Sequence, residues 1–180
     1  MKKKLVVLTL CGMMATSALA GGMTMQTFAA ETGDEPMVIS YLEGQDDQIP
    51  NPWQDYKTLK EAADATGFSI KLPKKITGYK RSVIQAVDQE ILQVYYEKGE
   101  EEILIRKAVI SQGKDISGDC NKYDVTKKVA VKGKKGKVTV KGSDKKKYVA
   151  IWNDGTYSYS VSTSNGMSKN ALLKIVKQVQ

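Results

Sequence analysis

Two segments of the chain carry apolar residues at helical spacing. The first begins at Thr58 and ends at Gly67, and Thr58 and Glu61 have the spacing of a capping box, in which each side chain accepts a hydrogen bond from the other residue's backbone N–H. The second begins after Ser168, which is a favourable N-cap residue, and Met167 is placed to pack toward Leu172. The apolar positions of the two predicted helices are Leu59, Ala62, Ala63 and Thr66, and Leu172, Ile175, Val176 and Val179.

Between the two helices, short apolar runs alternate with glycine-containing breaks, which is typical of strands joined by hairpin turns. A parallel sheet would need helical crossovers, which the pattern does not contain. The sequence therefore predicts an α+β fold, in which an antiparallel meander of six or seven strands carries both helices on one face. The predicted strands span residues 79–87, 90–97, 102–109, 125–132, 137–141, 147–153 and 156–162.

One predicted hairpin is unusually rich in lysine. If residues 133–136 form a four-residue loop, Lys132 lies opposite Lys137, and the same register places Lys128 opposite Lys141. Like charges directly opposite each other on a sheet cost up to roughly 1 kcal/mol per pair, which favours an anionic partner for this surface. Alternatively, the lysines only solvate the outer face and protect a sheet edge from aggregation. The lysines between positions 122 and 147 are Lys122, Lys127, Lys128, Lys132, Lys134, Lys135, Lys137, Lys141, Lys145, Lys146 and Lys147.

The last predicted hairpin is rich in aromatic residues. With a two-residue turn at 154–155, Trp152 lies opposite Tyr157, and Tyr148 and Tyr159 share the same side of the sheet. Aromatic ladders of this kind usually form core or cross-strand contacts. The alternative is a shallow groove for a glycan, a peptide or a lipid.

The first 30 residues have the pattern of a cleavable signal peptide. Three lysines precede an apolar run, and small residues offer cleavage sites after Ala20 and after Ala29. The run is too short for a membrane anchor, which takes about 20 residues. The sequence predicts an acidic linker or tail at residues 31–50 and a single domain at residues 51–180. We therefore expect a secreted or envelope-associated protein.

Composition narrows the possible chemistry. The chain has no histidine, which excludes the usual catalytic triads and histidine-based zinc sites. Residues 56–180 contain 25 basic and 13 acidic residues, a net charge of +12, but only Arg81 and Arg106 are arginines. Arginine is the better reader of bases and phosphates, and export places the protein away from nucleic acid, so we expect no nucleic-acid partner. We expect Cys120 to be buried as a small hydrophobic side chain.

The sequence predicts no metal site and no cofactor. An acidic stretch at 115–124 lacks the ligand order of a calcium loop, because Tyr123 stands where a ligand should be, so turns are the better interpretation. An enzyme that uses two carboxylates remains an alternative, but no pair of acids is singled out. We therefore expect the protein not to be an enzyme.

Three segments resemble a known family. The first starts with Asn51, Pro52 and Trp53 and runs on to Gly78 and Tyr79. The second comprises residues 105–108 and 115–119, and the third residues 152–160. Together they resemble the bacterial domain-of-unknown-function family numbered 4367 across residues 51–180. The resemblance implies an exported or envelope-anchored domain, in some members on the outer side of an anti-sigma-factor-like membrane protein, and it brings no catalytic residues. Cys120 stands where the family pattern leads us to expect tyrosine, and the lysine run is heavier than usual.

These observations favour a non-catalytic binding or structural module of the cell envelope. Its expected contact surface is the lysine-rich hairpin, which would meet an anionic cell-wall polymer or membrane surface. The alternative is an extracytoplasmic sensory or regulatory domain that binds a protein or a hydrophobic ligand through the aromatic face. The candidate residues are Lys128, Lys132, Lys137 and Lys141 for the first surface, and Tyr148, Trp152, Tyr157 and Tyr159 for the second.

Overall fold

A computed structural model describes residues 51–180 of the chain. The predicted signal peptide at 1–30 and the predicted linker at 31–50 lie outside the described residues. Among residues 51–180, no helix is long and apolar enough to cross a membrane.

The described residues form one antiparallel sheet of eight strands and two α-helices. All seven predicted strands are present, and β1 is an eighth that the sequence pattern did not predict. The strand order is β1-β2-β3-β4-β8-β7-β6-β5. In chain order the elements are β1 (Gln54–Asp55), α1 (Leu59–Thr66), β2 (Lys80–Val87), β3 (Ile91–Lys98), β4 (Glu101–Val109), β5 (Val125–Ala130), β6 (Lys137–Gly142), β7 (Lys147–Asn153), β8 (Tyr157–Met167) and α2 (Lys169–Gln178).

The prediction of a simple meander was wrong, because β8 lies between β4 and β7. Strand β4 is buried at every position from 103 to 108, which is the pattern of a central strand covered on both faces. It needs a hydrogen-bonded neighbour on each side, and β8 provides the second one. The chain therefore leaves β4, crosses the sheet in residues 110–124, and re-enters it at the far edge as β5.

Both helices begin where the sequence predicted. The Glu61 N–H donates to the Thr58 hydroxyl at 3.2 Å, and the Thr58 N–H donates to the Glu61 carboxylate at 3.2 Å, so the capping box is confirmed. Gly67 ends α1 in the left-handed conformation. Ser168 caps α2 by accepting from the Ala171 N–H at 3.2 Å.

The helices lie over different parts of the sheet, α1 against β2 and β3 and α2 against β7 and β8. Ala62 of α1 and Leu172 of α2 belong to one apolar cluster, which also contains Leu92, Ile105 and Val161 of the sheet. We call the sheet face that contributes to this cluster the core face. Burial of this apolar surface stabilises the domain, at about 25 cal/mol per Å² removed from water.

The opposite face is covered in part by residues 110–124, which we call the crossover segment. Its Gly113 carbonyl accepts from the Ser158 hydroxyl at 2.6 Å, and its Ile116 carbonyl accepts from the Arg106 guanidinium at 3.1 Å. Ile116 is 3% exposed and thus adds an apolar contact on this side. The sheet is therefore buried on both faces at its centre.

Candidate functional site

The lysine-rich hairpin forms one edge of the sheet, with β5 as the outermost strand. Its register differs from the prediction, because Val129 pairs with Val138 and the loop spans residues 131–136. Val131 is 6% exposed and packs in the core, so it is not available to pair with Val138. The register of β5 against β6 is therefore shifted by two residues from the prediction, and the loop has six residues in place of four.

This register removes the predicted lysine–lysine pairs. Lys128 lies opposite Thr139, Lys141 opposite Thr126, and Lys137 opposite Ala130. Lys132 lies in the turn. The argument from directly opposed like charges was therefore wrong, although Lys128, Lys137 and Lys141 do share the face that carries the crossover segment.

Four lysines of the run have partners within the domain. The Lys141 ammonium lies 2.7 Å from the Asp115 carboxylate, Lys146 donates to Asn165, and Lys147 donates to the Ser143 carbonyl. Lys134 donates to the carbonyl of Val179 and lies 5.2 Å from the centre of the Trp152 ring. Lys134 and Lys141 tie the hairpin to its surroundings, whereas Lys146 and Lys147 hold the turn between β6 and β7.

The other seven are exposed, and none of their ammonium groups forms a hydrogen bond or ion pair with residues 51–180. Some flank the two ends of the hairpin and some lie along its strands. We call this set the lysine margin. It comprises Lys122, Lys127, Lys128, Lys132, Lys135, Lys137 and Lys145.

Lys141 differs from the other three lysines of the predicted anion site because it holds the crossover segment. Burial opposes ionisation of Asp115, but hydrogen bonds from Lys141 and Ser117 outweigh it and keep the Asp115 pKa below its ordinary value. The Asp115 carboxylate also accepts from the Ser117 N–H at 3.1 Å. This is a turn of the kind that the acidic stretch predicted. Among the described residues, no group of acids and cysteines is arranged to hold a metal ion.

The aromatic residues of the last hairpin belong largely to the core. Trp152 pairs with Tyr159, not with Tyr157 as expected, since the turn spans residues 154–157. Their rings stack at 5.2 Å and 3°, and the two side chains are 3% and 4% exposed. The stacked pair therefore does not form an open aromatic face, although both residues contribute to the lining of a cavity of about 180 Å³ beside the loop of the lysine-rich hairpin. Tyr148 is half-buried and stacks on Tyr123 at 5.6 Å.

Tyr157 forms part of a cage around a buried lysine. The Lys107 ammonium lies 4.2 Å from the centre of the Tyr157 ring, and it donates to the Ser69 carbonyl at 2.6 Å. The rings of Phe68 and Tyr159 lie within 5.5 Å. Burial lowers the pKa of Lys107, and the charge of Asp154 opposes this. Cation–π contacts of this kind help to hold a charge that burial disfavours.

Sequence reasoning missed a second basic surface, around a cavity of about 410 Å³ whose lining includes Leu72, Lys74 and Arg81. Its two lysines, Lys74 and Lys75, are too few to stand out as a cluster of charge in the sequence. Arg81 reaches the cavity only because of an irregularity in the pairing of β2 with β3. No sequence signal could have located it. Cys120 was also misjudged, since its side chain is exposed and not buried. It lies in the crossover segment.

A family model described as Domain of unknown function (DUF4367) matches residues 69–179. The chain belongs to this family. The match begins after α1 and contains the whole of β2 to β8, so the lysine margin and the cavity's Arg81 both lie inside the DUF4367 region. No curated protein and no solved structure matches the chain.

Proposed function

We propose that this DUF4367 protein is an exported, non-catalytic binding or structural module of the cell envelope, which contacts anionic envelope material through its lysine-rich hairpin. The observation that carries the proposal is the lysine margin, seven exposed ammonium groups that no carboxylate of residues 51–180 neutralises. A protein that used these lysines for internal stability would pair them.

Edge protection alone accounts for only part of the margin. Lysines on an edge strand discourage pairing with another chain, and Lys127 and Lys128 of β5 do so here. Lys132 and Lys135, however, lie in the turn, where there is no strand edge to protect. Their positions support a broader cationic surface that continues around the end of the hairpin.

The lysine margin is suited to binding polymers or lipid surfaces that are rich in phosphate or carboxylate groups. Ammonium groups are compact point charges that attract anions without reading their shape, unlike the planar guanidinium of arginine. We therefore expect binding that depends on charge density and falls steeply as salt is added, because the screening length is about 8 Å at physiological ionic strength.

The test compares two variants with the same change in net charge. In the margin variant, Lys127, Lys128, Lys132 and Lys137 become glutamine; Lys141 is left intact because it holds Asp115. The control variant changes four exposed lysines elsewhere: Lys57, Lys80, Lys169 and Lys174. Co-sedimentation is measured with phosphatidylglycerol vesicles, phosphatidylcholine vesicles and purified cell walls that carry anionic polymer.

We expect the margin variant to lose roughly a hundredfold or more in affinity for an anionic vesicle surface, since each lysine near it contributes about 1 kcal/mol. The control variant should bind nearly as well as the wild type. Binding to cell walls but not to vesicles would assign the partner to the wall polymer, and the reverse to the membrane. Equal losses in the two variants would refute a localised contact surface.

A further inference from the structure

The cavity of about 410 Å³ has an apolar floor and a cationic rim. Leu59, Leu72 and Ile76 contribute to the floor, and Lys74, Lys75 and Arg81 carry the charges. None of its lining residues is acidic. Its volume lies within the range of small-molecule sites, which are mostly apolar with a few placed polar groups.

A β-bulge places Arg81 at this cavity. Arg81 pairs with Tyr96, but the next pair joins Ile84 to Val94, so β2 contains one more residue than β3 in this interval. Side chains alternate between the faces of a strand, so without the extra residue Arg81 would lie on the face opposite to Ile84. The bulge instead brings Arg81 to the core face, directly across from Tyr96.

Tyr79 and Tyr96 complete the walls of the cavity, and Tyr79 also holds an acid. Tyr96 is 6% exposed, so its ring is a fixed apolar surface. The Tyr79 hydroxyl donates to Glu101 at 2.7 Å, and Lys98 lies 3.4 Å from the same carboxylate. Glu101 is thus held by Tyr79 and Lys98, and it forms no ion pair with Arg81.

We propose that this cavity binds a small organic anion, with its anionic group at Arg81, Lys74 and Lys75 and its apolar body over Leu59 and Leu72. A carboxylate on a short aliphatic or aromatic body fits this chemistry. Within residues 51–180 no carboxylate forms an ion pair with these three cations, so an anion would find them unneutralised there. Coverage of the apolar floor by apolar atoms would remove its surface from water, which is favourable. The site is separate from the lysine margin and does not depend on the proposed envelope contact.

The test uses octanoate as the probe and follows backbone amide chemical shifts of the full chain by NMR. We expect shifts centred on residues 72–81 and on Tyr96, and weaker binding of octanol, which has the same body without the charge. Arg81→Gln should reduce octanoate affinity about tenfold or more, because a charge-assisted hydrogen bond is lost. Lys128→Gln, which removes one charge from the lysine margin, should leave it unchanged.

Arg81 is exposed, so its substitution is not expected to impair folding. Leu72→Gln tests the apolar part of the site independently and should weaken octanoate and octanol alike. Octanoate shifts confined to residues 122–145, or equal octanoate affinity of Arg81→Gln and the wild type, would overturn the proposal. Neither result would bear on the vesicle and cell-wall experiment.

Discussion

The Nε of Arg106 donates to the side-chain oxygen of Gln93 at 2.7 Å, and this bond starts a chain of side-chain hydrogen bonds across four strands. The Gln93 amide donates to Gln85 at 2.6 Å, and the Gln85 amide donates to Asp55 at 2.8 Å. Trp53 stacks over the guanidinium at 5.5 Å. The chain joins β4 to β1 on the face opposite the core.

Arg106 is 9% exposed and forms no salt bridge within residues 51–180. Burial lowers its pKa, which shows that its surroundings disfavour the charge. Its charge is held by polar oxygens, those of Gln93 and the Ile116 carbonyl, and by the face of Trp53. The guanidinium therefore joins the sheet to the crossover segment.

We expect Gln93→Met to lower the free energy of unfolding by about 1.5–3 kcal/mol, because a buried charge loses one of its acceptors. The Arg106→Met/Gln93→Met double variant should lose less than the sum of the two single variants, since no buried charge is left without its acceptor. Urea denaturation of all four proteins measures this coupling. Strict additivity would show that the two side chains do not act together.

Gly118 lies against the same guanidinium and can be compared with a glycine of the lysine hairpin. Gly118 has φ +66° and Gly136 has φ +68°, so alanine meets the same backbone strain at both, about 1–2 kcal/mol. A Cβ at Gly118 would overlap Nη1 of Arg106 and approach its Cζ to 3.3 Å. At Gly136, by contrast, no atom lies within 4 Å of the position that a Cβ would take.

We therefore expect Gly118→Ala to destabilise the domain by about 1–3 kcal/mol more than Gly136→Ala, as an overpacked core does. Arg106 cannot easily move away, because its bonds to Gln93 and Ile116 fix it. Thermal unfolding of both variants gives the difference. If the two alanine variants have equal stability, the crossover segment does not pack tightly on Arg106.

Tyr79 provides a prediction at alkaline pH. Burial, and then the hydrogen bond to Glu101, raise the pKa of Tyr79 from 10.0 to about 12. A folded-state pKa above the unfolded value adds stability that is fully present below pH 10.0 and is lost as the pH rises through about 12. The stability advantage of the wild type over Tyr79→Phe should therefore shrink between those pH values.

Phenolate absorbance during an alkaline titration measures the same group directly. The difference in phenolate absorbance between the wild type and Tyr79→Phe should appear near pH 12 and not near pH 10.0. Glu101→Gln, which removes the charge of the acceptor, should move it to lower pH. A difference that appears near the ordinary tyrosine pKa would contradict the bond between Tyr79 and Glu101.

Local sequence signals predicted the elements well, because the forces that specify them act over a few residues. The capping box at Thr58, the stop at Gly67 and the N-cap at Ser168 each depend on bonds within one turn. The seven strands follow from short apolar runs between glycines. The two-residue β1 had no such signal, and it is held by pairing with β2.

The predicted registers of two hairpins were wrong, because in each hairpin a side chain forms contacts that lengthen the turn. Val131 enters the core, which lengthens the lysine hairpin's loop, and Asp154 accepts from the N–H groups of Thr156 and Tyr157, which lengthens the next turn. A two-residue change of register leaves each side chain on its expected face but changes its neighbours. The predicted lysine pairs were lost for this reason.

The sequence by itself determined the class of the domain, its family resemblance, the starts of its two helices and its excess of lysine. These properties depend on composition and on contacts between near neighbours along the chain. Only the tertiary structure decided that β8 enters beside β4, that Trp152 and Tyr159 are core residues, and which lysines have partners. It also decided that a bulge places Arg81 at a cavity, because such a placement depends on residues far apart in sequence that come together only when the sheet assembles.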